Sequence, residues 1–240
     1  MLFRKRTIFL ASLLAIIFLG STISMNFIIK NLPTTGDMTA HVFNTTTTEI
    51  EPLESFVQSV QNGQANMVVG IYIPDVMAYP VGQQPQSNAG YVTREPNQVT
   101  QFDLASRYGT VGILAHNDLA GATFSNLGMD QYIIVVYGDG HQEYYIINEI
   151  QKYQALSQTS KFSDFINLDA AHERLSANQL FNRVYGPGGR LVFQTCIDAF
   201  GDASWGRIFI IAEPVTDQVV TVAQQTSFLL EFASFGMAYR

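Results

Sequence analysis

Short apolar runs separated by Gly, Pro and Asp recur through most of the chain, and the period of each run limits what it can form. Runs rich in Val, Ile, Phe and Tyr read as strands at residues 67–73, stopped by Pro74, and at 110–115, 132–137, 142–149, 190–197 and 207–215. Gly138-Asp139-Gly140 falls between two of them and predicts a hairpin, glycine supplying the positive φ that a tight turn needs. One segment has the other period. Leu53, Phe56, Val57 and Val60 share a face at helical spacing, and Gly63 follows where such a helix would end. Residues 153–189 break the strand rhythm, with 176–184 reading as a small helix inside them. Beyond Thr216 the apolar clusters, among them Phe228, Leu229, Leu230, Phe232 and Phe235, follow no clear period. There is no internal repeat and no sustained heptad. The pattern predicts an all-β domain with short helices, closed or nearly closed into a barrel.

The first 50 residues follow neither pattern. Residues 7–29 are an apolar stretch behind Arg4, Lys5 and Arg6, close to the ~20 residues that cross a bilayer as a helix. The basic flank is expected to stay cytoplasmic, leaving everything after Lys30 outside. A retained anchor is expected. A cleaved signal peptide is the competing reading, because the densest apolar run is only 8–19 and small residues follow it. Residues 31–49 are polar and Thr-rich and read as a tether. The expected organisation is thus an anchor or signal at 1–30, a tether at 31–50, one domain at 51–215 and an extension at 216–240.

Composition narrows the partners. The net charge is −7, yet four of the 13 basic residues and none of the 20 acids lie in the first 30 positions. The remainder therefore carries 9 basic and 20 acidic residues, or −11, which nucleic acid would repel. A single cysteine cannot form an internal disulfide, so an exported body carries a free thiol.

That thiol, Cys196, ends the run Leu191-Val192-Phe193-Gln194-Thr195, a rigid placement that suits a nucleophile and equally suits a small buried hydrophobe. A thiol attacks as thiolate and needs a partner for its proton. Of the four histidines, His41 is in the tether, His141 beside the Gly-Asp-Gly turn and His172 in the irregular insertion, where exposed roles suffice. His116 ends a strand-like run, before Asn117-Asp118. Arg207 opens another, where an arginine is either a solvated flank or a fixed cation able to support an oxyanion. No Gly-x-Ser-x-Gly elbow, His-Glu-x-x-His zinc site or phosphate-binding loop is present, and no cofactor or metal is expected.

Three segments together resemble the sortase family: Gly112-Ile113-Leu114-Ala115-His116-Asn117, Val192-Phe193-Gln194-Thr195-Cys196 and Trp205-Gly206-Arg207-Ile208-Phe209. Their order also fits, and the turn at Ile73-Pro74-Asp75 and the segment from Gly121 to Leu127 resemble the family as well. The resemblance implies a barrel of about eight strands behind an N-terminal transmembrane helix. It implies a cysteine transpeptidase that cleaves a sorting-signal peptide of the Leu-Pro-x-Thr-Gly kind through a thioacyl intermediate. The acyl group would pass to an amine on a cell-wall precursor or a pilin lysine. Cys196 would be the nucleophile, His116 the acid/base and Arg207 the oxyanion support. Thr195 matches the family's usual threonine, and Thr195, Leu175, Leu180 and Phe181 are expected to serve peptide binding, the last three through the 153–189 insertion. Val192-Phe193 depart from the family's usual Thr-Leu, and the 80-position gap from His116 to Cys196 looks long. Leu32-Pro33-Thr34-Thr35-Gly36 itself looks like a sorting signal, but it follows an apolar segment instead of preceding one, and an extended tether accounts for its Pro and Gly. Two other readings share these residues: a protease in which water takes the acyl group, and a non-catalytic surface barrel with a buried Cys196.

Overall fold

The computed structural model describes residues 50–215 except residue 171. The anticipated anchor, tether and C-terminal extension, together with His41 and residues 32–36, lie outside the described residues.

Strands β1 (Val68–Ile73), β2 (Met77–Gln83), β3 (Val99–Gln101), β4 (Val111–Leu114), β5 (Tyr132–Tyr137), β6 (Gln142–Ala155), β9 (Leu191–Ala199) and β10 (Asp202–Pro214) form a ring. Its order is β10-β9-β4-β3-β2-β1-β5-β6, and β6 pairs back onto β10 to close it as an eight-stranded barrel. The sheet continues beyond β6 through two short strands, β7 (Phe165–Asn167) and β8 (Arg174–Leu175). Most pairs are antiparallel, but β2–β3 and β4–β9 are parallel.

The barrel interior is filled by Ile71, Ile73, Met77, Ile113, Phe124, Ile133, Val135, Ile147, Leu191, Phe193, Ile208 and Ile210. Two outer faces are covered as well. Helix α1 (Leu53–Val60), formed by the 53/56/57/60 stripe, lays Phe56 and Val57 on β1 and β5. Gly70 makes that fit possible, because a Cβ there would sit 2.8 Å from the Phe56 ring. Helix α4 (Ala177–Tyr185) covers β9 and β10 with Leu180, Val184 and Tyr185 against Val192, Phe209 and Ile211. Coverage on both sides explains why 191–193 and 208–212 read as unbroken apolar runs instead of alternating ones.

Several expectations need adjusting. Strand β6 runs to Ala155, six residues beyond the expected end, because most of its length pairs with β10, from Tyr145↔Pro214 to Gln154↔Gly206. Cys196 is not at a strand end: β9 continues to Ala199 and turns through Phe200 and Gly201, both at positive φ, into β10 at Asp202. In the β5–β6 hairpin only Gly140 has positive φ, at 91°. Gly138 is there for close packing against Gln64 and Asn62. Helices α2 (Asp103–Ser106) and α3 (Gly121–Phe124) are single turns at the two ends of β4.

Candidate active site

The site is built by strand register. In the parallel β4–β9 pair every partner is offset by 80 positions, from Val111↔Leu191 to Leu114↔Gln194, and Ala115 N still donates to Gln194 O at 3.3 Å. His116 lies two residues beyond the end of β4, where the same offset carried past the ladder would match it with Cys196. On the other side of β9, Cys196 and Arg207 are direct partners across the antiparallel β9–β10 pair. Partners level with one another point to the same side of a sheet, and directly opposed antiparallel pairs hold their Cβ atoms about 4.5–5.5 Å apart. The three residues read from sequence thus share one outer face of the barrel, all half-buried. No hydrogen bond joins Cys196 to the His116 ring among the described residues, a common state before substrate binds.

The alternation that places these three outward places others inward. Thr195 is 2% exposed and its Oγ1 donates to Ala115 O at 2.9 Å, tying the cysteine strand to the histidine strand from behind the site. Thr195 is therefore a brace and does not touch the face that the peptide would meet. His116 O accepts from Leu119 N at 3.0 Å and from Gly121 N at 2.9 Å, which folds the chain after the histidine into α3. Asn117 Nδ2 donates to Ala203 O at 3.0 Å and fastens the histidine loop to the β9–β10 hairpin. Beside it, the Arg94 guanidinium, 2.9 Å away, holds the Asp118 carboxyl below the usual carboxylate range, with the nearby His116 adding to the effect.

Arg207 is held by main-chain carbonyls: Nη1 donates to Ser204 O at 2.9 Å and Gly206 O at 2.7 Å, and Nη2 to Gln158 O at 3.0 Å. None of the ion pairs among the described residues uses it, so its charge is not spent on a carboxylate. A guanidinium already satisfied by carbonyl oxygens is chemically suited to take another from a peptide.

A groove of about 470 Å³ runs from this face under α4. Leu114, Gln194 and Phe209 line it, each two residues from His116, Cys196 and Arg207 respectively, so the groove floor continues the row of the candidate catalytic side chains. Leu180, Phe181, Tyr185 and Phe165 form the apolar wall, and the loop at 158–161 forms the rim. In a body of strongly negative charge, this lining holds Lys161 and Arg207 and no carboxylate. Of the three insertion residues expected at the peptide, Leu180 and Phe181 line the groove. Leu175 does not: it is 4% exposed and packed with Tyr153 and Val192 beneath α4.

Asn117, Gln158 and Gly121 were not legible as site residues in the sequence. Each acts through a contact to a residue 40 or more positions away or through the space its missing side chain leaves.

No protein-family model matches the sequence, and no curated protein matches it. Solved structures that the chain matches are sortases of several classes. Sortase A from Corynebacterium diphtheriae is 11% identical over 64% of this chain, with a TM-score of 0.41. The chain spans 62% of the length of that protein. Sortase C-1 from Actinomyces oris is 12% identical, covering 68% of this chain and 80% of its own, with a TM-score of 0.42. A Clostridium perfringens sortase D5 transpeptidase is 13% identical over 69% of this chain and 90% of its own, with a TM-score of 0.38. At such identities function is read from the site itself.

Proposed function

We propose that the chain is a sortase-like cysteine transpeptidase. It cleaves a sorting-signal peptide of the Leu-Pro-x-Thr-Gly kind and transfers the acyl group to an amine at the cell surface. The observation that carries this reading is the direct pairing of Cys196 with Arg207 across β9 and β10, with His116 two residues past the end of the neighbouring β4, beside a groove with an apolar wall.

The chemistry follows from the groups. Cys196 Sγ, its proton taken by His116, adds to the scissile carbonyl carbon, and the charge that develops on oxygen falls beside the Arg207 guanidinium. As the C–N bond breaks, His116 returns the proton to the leaving amine. The incoming amine attacks the thioester, gives its proton to His116 and regenerates the thiol. The groove wall of Leu180 and Phe181, above a floor that includes Phe209, takes the apolar start of the peptide. Membrane attachment through residues 7–29, with the body outside, completes the reading. Fractionation tests it: full-length protein belongs in the membrane pellet and open to external protease.

Mass spectrometry of the protein with a library of sorting-signal peptides tests the chemistry. A thioacyl adduct is expected on Cys196, lost in Cys196→Ala with the fold intact. His116→Ala and Arg207→Ala are each expected to cut turnover by about a hundredfold or more. Turnover in the Cys196→Ala protein, or a thiol that resists a small alkylating reagent in the native state, overturns the reading. Release of free acid without amine transfer assigns the same site to hydrolysis.

A further inference from the structure

One polar side chain stands between two apolar ones in the groove floor. Gln194 pairs with Leu114 of β4 on one side and with Phe209 of β10 on the other, and all three line the groove. It lies on the strand that carries Cys196, two residues before it and therefore on the same face. Tyr185 of α4 accounts for half of the Gln194 amide. That tyrosine is 2% exposed, and its hydroxyl donates to Gln194 Oε1 at 2.6 Å, with no other partner among the described residues. A buried hydroxyl that has to donate fixes the amide in one orientation, its oxygen engaged and its NH₂ group left over. Among the described residues Gln194 Nε2 donates to nothing, although the side chain is only half-buried and reaches the groove.

Resting on the transpeptidase reading above, we propose that Gln194 binds the peptide main chain: its Nε2 donates to the carbonyl two residues before the scissile one, and Tyr185 is the positioning residue that holds the amide for this bond.

The spacing carries the assignment. Two residues along β9 advance about 6.5 Å, and an extended peptide repeats the carbonyls of one side at about the same interval. A peptide with its scissile carbonyl at Cys196 and its apolar start in the groove brings the carbonyl two residues earlier over Gln194. In a Leu-Pro-x-Thr-Gly peptide this is the proline carbonyl. Proline has no N–H, so that carbonyl is its whole main-chain polarity. Laid against Leu114 and Phe209 alone it would lose its bond to water without replacement, and the Gln194 amide supplies the donor. Every residue of a peptide has such a carbonyl, so this contact does not choose the sequence. It fixes the register, and with it which peptide bond stands at Cys196.

The test uses the full chain, purified in detergent, and two peptides. One is a Leu-Pro-x-Thr-Gly peptide. The other carries an alkene in place of its Pro–x amide, which keeps the shape and removes the acceptor. Gln194→Glu still accepts from the Tyr185 hydroxyl but cannot donate, and Gln194→Met, which does neither, makes the same comparison if the glutamate variant does not fold. The alkene peptide is expected to be about 3- to 10-fold poorer in kcat/KM with the native protein. That ratio should fall to near one in the Gln194 variants and take an intermediate value in Tyr185→Phe, where the amide is free to turn. A Gln194 that serves only to satisfy Tyr185 would lower Tm when replaced and leave the ratio of the two peptides as it is in the native protein. That result, or equal turnover of both peptides by the native protein, overturns this inference and leaves the transpeptidase reading standing. A native protein that turns over no Leu-Pro-x-Thr-Gly peptide overturns both.

Discussion

Replacing Gly121 with alanine tests whether the site is held together from behind. Gly121 opens α3, and its N–H donates to His116 O at 2.9 Å. A Cβ at this position would collide with Thr195 Oγ1 and stand 2.6 Å from His116 O. Neither neighbour can give easily. His116 O is backbone, and Thr195 Oγ1 is engaged with Ala115 O inside the barrel. Two effects compete. Alanine restricts the unfolded chain and would stabilise by about 0.4–1 kcal/mol where the backbone accepts it. Forcing a methyl into a filled site costs about 1–3 kcal/mol. Because the clash is with backbone and a bonded hydroxyl, the second is expected to win, leaving a net loss of about 1–2 kcal/mol. At roughly 2–4 °C per kcal/mol for a domain of this size, Tm should fall by about 2–8 °C. The larger effect should be kinetic. The methyl pushes on the residue next to Cys196 and on His116 itself, and a displacement of about 1 Å can cost about a hundredfold, so kcat/KM should drop about 10- to 100-fold. Thermal melts and peptide turnover measure both. Gly128→Ala is the control, since a Cβ there meets nothing within 4 Å. A Gly121→Ala protein as stable and as active as the native one would refute the account of Thr195 and Gly121 as a brace.

The groove wall and the core beneath it should separate by mutation. Phe181→Ser is expected to reorder kcat/KM among sorting-signal peptides with some fall in Tm from its lost contacts with Phe102, Tyr108 and Tyr185, whereas Leu175→Ala should lose about 2–5 kcal/mol of stability without changing the ranking. A uniform loss in both would make Phe181 a core residue only. Alkaline stability should follow Tyr185, whose hydroxyl burial pushes well above the ordinary value near 10 while it donates to Gln194 Oε1 at 2.6 Å. The folded state keeps it neutral while the unfolded chain ionises, so its contribution is whole below about pH 10 and falls as pH rises beyond that. Urea midpoints should drop over this range, less steeply in Tyr185→Phe. A slope unchanged in that variant would assign the loss elsewhere, to Tyr137 and Tyr145, which burial and Glu143 also raise.

What the sequence disclosed follows from how local each signal is. Strands β1, β5 and β9 were legible because their apolar runs are long and bounded by turn residues. Helix α4 was read at 176–184, and the structure adds the reciprocal capping box of Ser176 and Gln179 that starts it. Strand β2 was not among the runs read as strands by period, because Pro80 sits inside it. The ring tolerates that proline because β2 meets β3 only from Val81 onward. Strands β3, β7 and β8 are two or three residues long and have no period to read. The β9–β10 turn was missed for a physical reason: Phe200 occupies a positive φ that turn preferences reserve for Gly or Asn, so nothing marked the hairpin before Gly201. Cys196, His116 and Arg207 were each legible as candidates. The contacts that hold their surroundings, from Asn117 to Ala203 and from Arg207 to Gln158, cross 86 and 49 positions and leave no local trace.

The 80-position gap that looked long in the sequence is the register of the β4–β9 pair itself, and that register is set by the core instead of by the site. Ile113 and Phe193 are partners and both face the interior, as Ile208 faces it opposite Thr195. Side chains alternate along a strand, so burying Phe193 and Thr195 obliges Gln194 and Cys196 to face outward, and burying Ile208 obliges Arg207 and Phe209 to do the same. A slip of one residue in β9 would turn Phe193 to the groove and Cys196 to the core, at the expense of several fully buried side chains. The insertion at 153–189 can therefore lengthen the connection without moving the nucleophile. It enters as the end of β6 and leaves into β9, both clamped against β10, and what lies between contributes a groove wall to a face that the barrel has already fixed.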